Sequence, residues 1–423
     1  MKVFMRHPRR RARGMTLIEL LVAMAIGLIV TLAVTTLVTV GEAQKRTALA
    51  TNDMGQSGSY AAYVIDRAVR SAGSGVVQSW NLGAFGCRLS ATRTSAGQVL
   101  PRTSAAFPAP FAGLLGGAGA TATAGSGSLR FAPLLIGKGQ GTNSSDILVV
   151  MGGNAAAGDV PRPIRAGVAG TNNLRLDNTI GLMDGDLVMV SQDGVQDCLI
   201  EQVSDNPPGT LNTSGNDVVT INGTYVTPTG LTTSLSTLAG SSAAYLTTLG
   251  NVNASSANPD NVNANNVQLQ LIGVTNQRTL VSYDLLRSAG TGLVDNDALQ
   301  PLADGVIGLY ALYGVDTDND GKVDSWIDPG ATGYDIATVM TTPATMRKIL
   351  AVRVALVLQS SIPQLSTQQN TSTADLTAAS PSSITLFGDR PAAVQRTVSS
   401  LDTNYRYRVV DTTIPLRNML LLP

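Results

Sequence analysis

From Gly14 to Gly41 the chain reads GMTLIELLVAMAIGLIVTLAVTTLVTVG. Leu20 to Gly41 are 22 residues without a formal charge. At about 1.5 Å per residue a helix of that length spans about 33 Å, enough to cross a hydrocarbon core of about 30 Å. The run exceeds the roughly 7 to 15 residues of a secretory h-region and no A-x-A site closes it convincingly, so an ordinary signal peptide is the weaker reading and a retained membrane helix the stronger. Residues 1–14, MKVFMRHPRRRARG, carry Lys2, Arg6, Arg9, Arg10, Arg11 and Arg13 and no acid. The positive-inside rule keeps this head cytoplasmic and exports everything after Val40. Glu19 is the anomaly, because a carboxylate at bilayer depth costs about 2.5 to 3.5 kcal/mol on insertion scales and calls for an interfacial position or a partner.

The 423-residue chain as a whole is weakly charged: 29 basic and 29 acidic side chains make up 14%, against roughly a quarter in ordinary soluble domains. This balance argues against a free-standing basic nucleic-acid binder. Lys (5) and Glu (3) are scarce beside Arg (24) and Asp (26), and solvated helices depend most on Lys and Glu, so a β-rich body is expected. His7 is the single histidine. If the head is removed, Ser-His-Asp and Cys-His catalysis and His-ligated zinc go with it. A carboxylate-only hydrolase is the enzyme class this leaves open.

Beyond Gly41, the positions Ala61, Val64, Ile65, Ala68 and Ala72 follow the spacing of one buried helical face, so residues 41–75 continue the helix onto the body. Gly55 and Gly58 weaken its middle by about 1 kcal/mol each and predict a bend or break. After Gly75 short apolar runs predict strands at Ile147–Val150, Leu187–Val190 and Val267–Leu271, the last forming a hairpin with Thr279–Tyr283 that has one wet face. Val352, Val354, Leu356 and Leu358 alternate, so Met346–Leu358 reads as a strand. The low-complexity stretches 111–127, 206–266 and 359–399 read as long loops or insertions.

Cys87 and Cys198 lie in the exported part, where oxidation favours a disulfide; free buried thiols or an intermolecular bridge are the alternatives. Asp316-Thr317-Asp318-Asn319-Asp320-Gly321-Lys322-Val323-Asp324 offers carboxylates at positions 1, 3, 5 and 9, a turn glycine at 6 and a backbone carbonyl at Lys322. That pattern wraps hard oxygens around Ca²⁺, although the twelfth position is Ile327 and Asp328 would have to stand in for the bidentate Glu. A solvated acidic turn is the bland reading.

Residues RGMTLIELLVAM resemble the class III signal of type IV prepilins and pseudopilins. The resemblance implies cleavage after Gly14 by a prepilin peptidase and N-methylation of Met15, where Phe is commoner. It also implies that Glu19 neutralises the terminal amine of a neighbouring subunit during filament assembly. Leu302–Leu309, Tyr313–Asp316, Tyr405–Val410 and Thr412–Asn418, with NLGAFGC at Asn81–Cys87, resemble the PilW family of minor type IV pilins. The fold expected is α+β: a cleaved leader (1–14), a membrane and filament-core helix (15–40), its amphipathic continuation (41–75) and an exported β-rich body (76–423) with a calcium-type loop at 316–324. The implied function is a non-enzymatic subunit of a minor-pilin complex that primes assembly near the pilus tip. Its implied partners are other minor pilins, the major pilin, the peptidase, the inner-membrane assembly machinery and a tip adhesin. The competing readings are a minor pseudopilin of type II secretion and a membrane-tethered, calcium-dependent adhesin.

Overall fold

The computed structural model describes residues 14–94, 97–101, 107–120, 128–153, 160–165, 172–182, 184–204, 218–221, 223–228, 231, 233–255, 258–264, 267–287, 299–363 and 380–422. The leader expected at 1–14 therefore lies outside the described residues except for Gly14. The architecture is α+β. One helix, α1 (Leu17–Arg70), runs without interruption through the membrane-type segment and on to the body. Ala61, Ile65, Ala68 and Ala72 are buried as expected, while Val64 is half-buried and Val69 takes part in the contact instead.

The break expected at Gly55 and Gly58 is absent, because these glycines serve close packing. A Cβ at Gly58 would sit 3.0 Å from Val410 and 3.1 Å from Leu358, and one at Gly55 would meet the Arg408 guanidinium at 2.8 Å. The helix gives up propensity there to lie closer to the sheet.

After α1 come β1 (Arg88–Arg93), β2 (Gly97–Leu100), β3 (Leu134–Gly137) and β4 (Ile147–Gly152). An excursion follows with β5 (Arg162–Arg165), β6 (Asn173–Leu176), β7 (Asp186–Gln192), β8 (Asp197–Ser204), β9 (Val218–Ile221), β10 (Tyr225–Val226), a short α2 (Leu235–Ala239), β11 (Ala244–Ser255) and β12 (Asn258–Ala264). The chain then returns as β13 (Gln268–Val274), which pairs directly with β4 through Leu271↔Val149, so residues 153–267 form an insertion between neighbouring strands.

Within that insertion β8, β7, β11, β5, β6 and β9 pair in turn, and β9 pairs back to β8, closing a small barrel-like ring. Its interior holds Ile164, Leu174, Val188, Val190, Leu199 and Val203, with Leu235 and Leu238 of α2 in the same cluster. Alternation puts Leu187 and Met189 of β7, and Cys198 and Ile200 of β8, into the main core instead. Two faces buried at once explain why Leu187–Val190 of β7 are apolar without a break. The loops expected over 206–266 are thus corrected where the residues are described. Threonine supplies β-propensity, Leu246 and Leu249 are buried, and Thr247 meets Ser79 at 2.8 Å.

The remaining strands are β14 (Thr279–Asp284), β15 (Leu299–Asp304), β16 (Val306–Val315), β17 (Ser325–Ile327), β18 (Ile349–Gln359), β19 (Ile384–Leu386), β20 (Arg396–Val398) and β21 (Tyr407–Pro415), with short helices α3 (Ile336–Val339) and α4 (Pro343–Lys348) before β18. They build two sheets, β15-β14-β13-β4-β3 and β17-β16-β18-β21, and the hairpin β19-β20. The alternating run is a strand from Ile349 onward; Met346–Lys348 belong to α4, where Pro343 opens the turn. The β13–β14 hairpin forms in the expected place but has no wet face. Gln268 is occupied by α1, donating to the Ala68 carbonyl (2.9 Å) and accepting from Ser71 (2.6 Å). Residues 380–399, expected as loop, fold as β19 and β20, and bury Leu386 and Phe387 over Tyr310, Leu312, Ala355 and Val357 on the outer face of β16 and β18.

Two outcomes test this packing in the detergent-solubilised chain. Gly58→Leu lowers stability by about 1–3 kcal/mol in thermal or denaturant unfolding, whereas Gly41→Ala, where a Cβ meets nothing within 4 Å, is neutral or mildly stabilising. Glu201, 2% exposed between Leu199 and Val203 on the ring side of β8, accepts from the Thr227 hydroxyl; burial pushes its carboxyl up to about 7. The folded chain holds this proton to higher pH than the unfolded one, whose value lies near 4.5, so the contribution of Glu201 to stability is fully present below that pH and is lost as pH rises towards 7. Glu201→Gln flattens that slope and raises stability at pH 8 by on the order of 1–3 kcal/mol; an unchanged slope contradicts the burial.

Candidate functional site

Two regions carry the sequence-derived residues. The first is the amino-terminal end of α1. Gly14 and Met15 precede the helix, and Met15 is exposed. Thr16 is the N-cap: its hydroxyl accepts from the Glu19 N–H at 3.3 Å. Thr16-Leu17-Ile18-Glu19 therefore has the spacing of a capping box, and Glu19 stands in the first turn, where the helix dipole favours an acid. This local role is legible in the sequence as T-x-x-E and was not among the expectations above. From Met15 to Val40 the large apolar side chains are between 42% (Leu20) and 77% (Leu17) exposed, and the most apolar window of the helix has no part buried. Each such side chain is worth about 1.5–3 kcal/mol on full burial, so this surface needs lipid or other helices around it.

The second region is the turn joining β16 to β17. One carboxylate oxygen each from Asp316, Asp318 and Asp324 lies within 4.8 Å of the others. Asp316, buried at the end of β16, accepts from the Asn319 N–H (2.6 Å) and the Gly321 N–H (2.8 Å). Gly321 has φ +83°, the left-handed conformation the tight turn requires. The Thr317 N–H and hydroxyl each donate to Asp324 at 2.7 Å and hold its carboxyl below the usual range. Asp320 and Lys322 stand apart from this group: the ammonium pairs with Asp320 at 2.7 Å and lowers its pKa. The flanking elements are strands.

Asp328 does not substitute at the turn. It accepts from Lys138 (2.5 Å) and Arg396 (2.8 Å), and although burial opposes its ionisation, these cations and the Gly330 N–H keep its pKa low. Arg396 also donates to Asp146 at 2.7 Å. Asp146 is fully buried, accepts from the Gly139 and Ala311 N–H groups, and is pushed up to about 6 by burial. This network ties the β19–β20 hairpin to the body. No local pattern announces it, because Asp146 and Arg396 are 250 residues apart.

Cys87, one residue before β1, is bonded to Cys198 on β8 with their Cα atoms 5.5 Å apart. The bridge joins the front of the body to the insertion, where β1 and β8 run parallel.

Neither a curated protein nor a solved structure matches the chain. Residues 9–35 match the Prokaryotic N-terminal methylation motif, which takes in Gly14, Met15 and Glu19. Residues 253–418 match the family described as Type IV Pilus-assembly protein W, a span that begins within β11 and includes the acidic turn and β13 to β21 but little of the ring. In its methylation motif and its carboxy-terminal sheets the chain is therefore similar to PilW-type pilus-assembly proteins, which supports a minor type IV pilin anchored through α1.

Proposed function

We propose that the chain joins other minor pilins in a complex that primes pilus assembly and sits near the pilus tip, acting as a structural subunit and not as an enzyme. The observation that carries this reading is the bare apolar half of α1 on a body whose carboxy-terminal part matches the pilus-assembly family. While that half lies in lipid, Arg-rich head inside and body outside, the chain is stored in the inner membrane. After cleavage behind Gly14 and methylation of Met15, extraction from lipid exposes the surface, and packing against like helices removes it from water. Glu19 then meets the terminal amine of an adjoining subunit. Glu19→Ala leaves the chain in the membrane and cuts its incorporation into fibres by at least about tenfold. Glu19→Gln separates charge from capping, since Gln satisfies a capping box: assembly stays low with Gln if the charge is what matters. Normal fibres from Glu19→Ala sink the proposal.

The turn at 316–324 is proposed to hold one Ca²⁺. What supports this is convergence of Asp316, Asp318 and Asp324, a hard-oxygen donor set that repels itself without a cation. Calorimetric titration is expected to give one site per chain in about the 10⁻⁴ to 10⁻³ M range of extracellular modules. Asp316→Asn and Asp324→Asn abolish it, and Asp320→Asn weakens it less. Heat without saturation in the unaltered chain speaks for a solvated turn.

A further inference from the structure

Among the described residues the outer edge of β21 is a run of unpaired main chain. Inside, β21 pairs with β18 from Ala351↔Pro415 to Gln359↔Tyr407 with no shift of register. The Leu416 N–H donates to the Leu350 carbonyl at 2.8 Å, and the Ser360 N–H to the Arg406 carbonyl at 2.9 Å. In an antiparallel ladder bonded residues recur at every second position, so the even-numbered residues of β21 face β18. The N–H and C=O groups of Tyr407, Val409, Asp411 and Thr413 therefore point away from it. Among the described residues no strand lies on that side, and no backbone bond there occupies them. Val409, Asp411 and Thr413 are exposed.

Proteins ordinarily blunt such edges with shortness, proline, bulges or cover. Elsewhere this chain does so: β17 has three residues, and β15 carries Pro301 and a bulge opposite Leu280 and Val281. In β21 the nine residues stay in register and proline comes at the end, at Pro415. The charge of Asp411 is already matched by Arg353 at 2.9 and 2.7 Å. The edge thus offers four outward donor–acceptor pairs at about 7 Å intervals, a template for another extended backbone.

We infer that the free edge of β21 docks an extended strand of a neighbouring filament subunit, main chain to main chain. Where the neighbour comes from rests on the function proposed above. α1 meets β21 at Gly58 and Val410, and its Tyr60 and Tyr63 stay 55% and 60% exposed, so a subunit packed along α1 lies within reach of the edge.

The test uses the full-length chain in piliated cells. Val409→Pro and Thr413→Pro each delete an outward N–H and leave the inner ladder intact, since proline is tolerated on the solvent side of an edge strand. Both variants are expected to be processed and to unfold at the unaltered midpoint, yet to lower surface pili at least about tenfold, while Val409→Ala, which keeps its N–H, assembles normally. Pili in normal number from both proline variants overturn the inference. Should proline disturb folding, amide exchange of the unaltered chain decides: the Val409, Asp411 and Thr413 amides are protected in assembled fibres relative to detergent, and equal exchange overturns it. If Glu19→Ala blocks assembly while the proline variants do not, the edge inference alone fails. If Glu19→Ala also assembles, the underlying function fails first.

Discussion

The apolar surface of α1 has to be covered twice, along two halves of one unbroken helix. Ala61, Ile65, Val69 and Ala72 find their cover within the chain, against the main core. Leu17 to Val40 find none among the described residues. Continuity of the helix makes these two facts one constraint, because the body cannot turn to shield the bare half without unwinding a helix held at Gly58, Ser71 and Gln268. None of the described residues supplies that cover, and under the proposed function it comes first from lipid and then from like helices.

The body answers the complementary need for a rigid seat. The sheet β17-β16-β18-β21 is closed on its inner face by α1 and on its outer face by the β19–β20 hairpin, which Arg396 clamps through Asp146 and Asp328. The ring of the insertion is fused to this body and does not hang from it, since β7 and β8 lend one face to the ring interior and the other to the main core. The Cys87–Cys198 bridge sits at that junction. By the chain-entropy model closing a loop of this length contributes on the order of 4–5 kcal/mol by restricting the unfolded chain.

Sequence reading reached the features whose signal is local. A 22-residue uncharged run, a period of two at Val352 to Leu358 and a crowd of acids at 316–324 each announce themselves within one window. It failed where a contact from afar changes the meaning of a residue. Gly55 and Gly58 look like helix breakers until Arg408, Val410 and Leu358 approach. Gln268 looks wet until α1 takes its amide. Asp328 looks free for the acidic turn until Lys138 and Arg396 claim it. The Thr- and Asn-rich strand β11 looks like loop because its burial depends on β7 and β5, which no window includes. Thr16 and Glu19 are the opposite case: their cap is local and legible as T-x-x-E, inside a segment whose apolar length is the stronger signal.

The central claim is that the apolar half of α1 stays with the mature chain as an assembly surface. Mass spectrometry of the amino terminus of chain recovered from sheared fibres tests it most directly. The account predicts a species beginning at N-methylated Met15 and retaining everything through Val40. A terminus at Met1, or one beyond Val40, contradicts it.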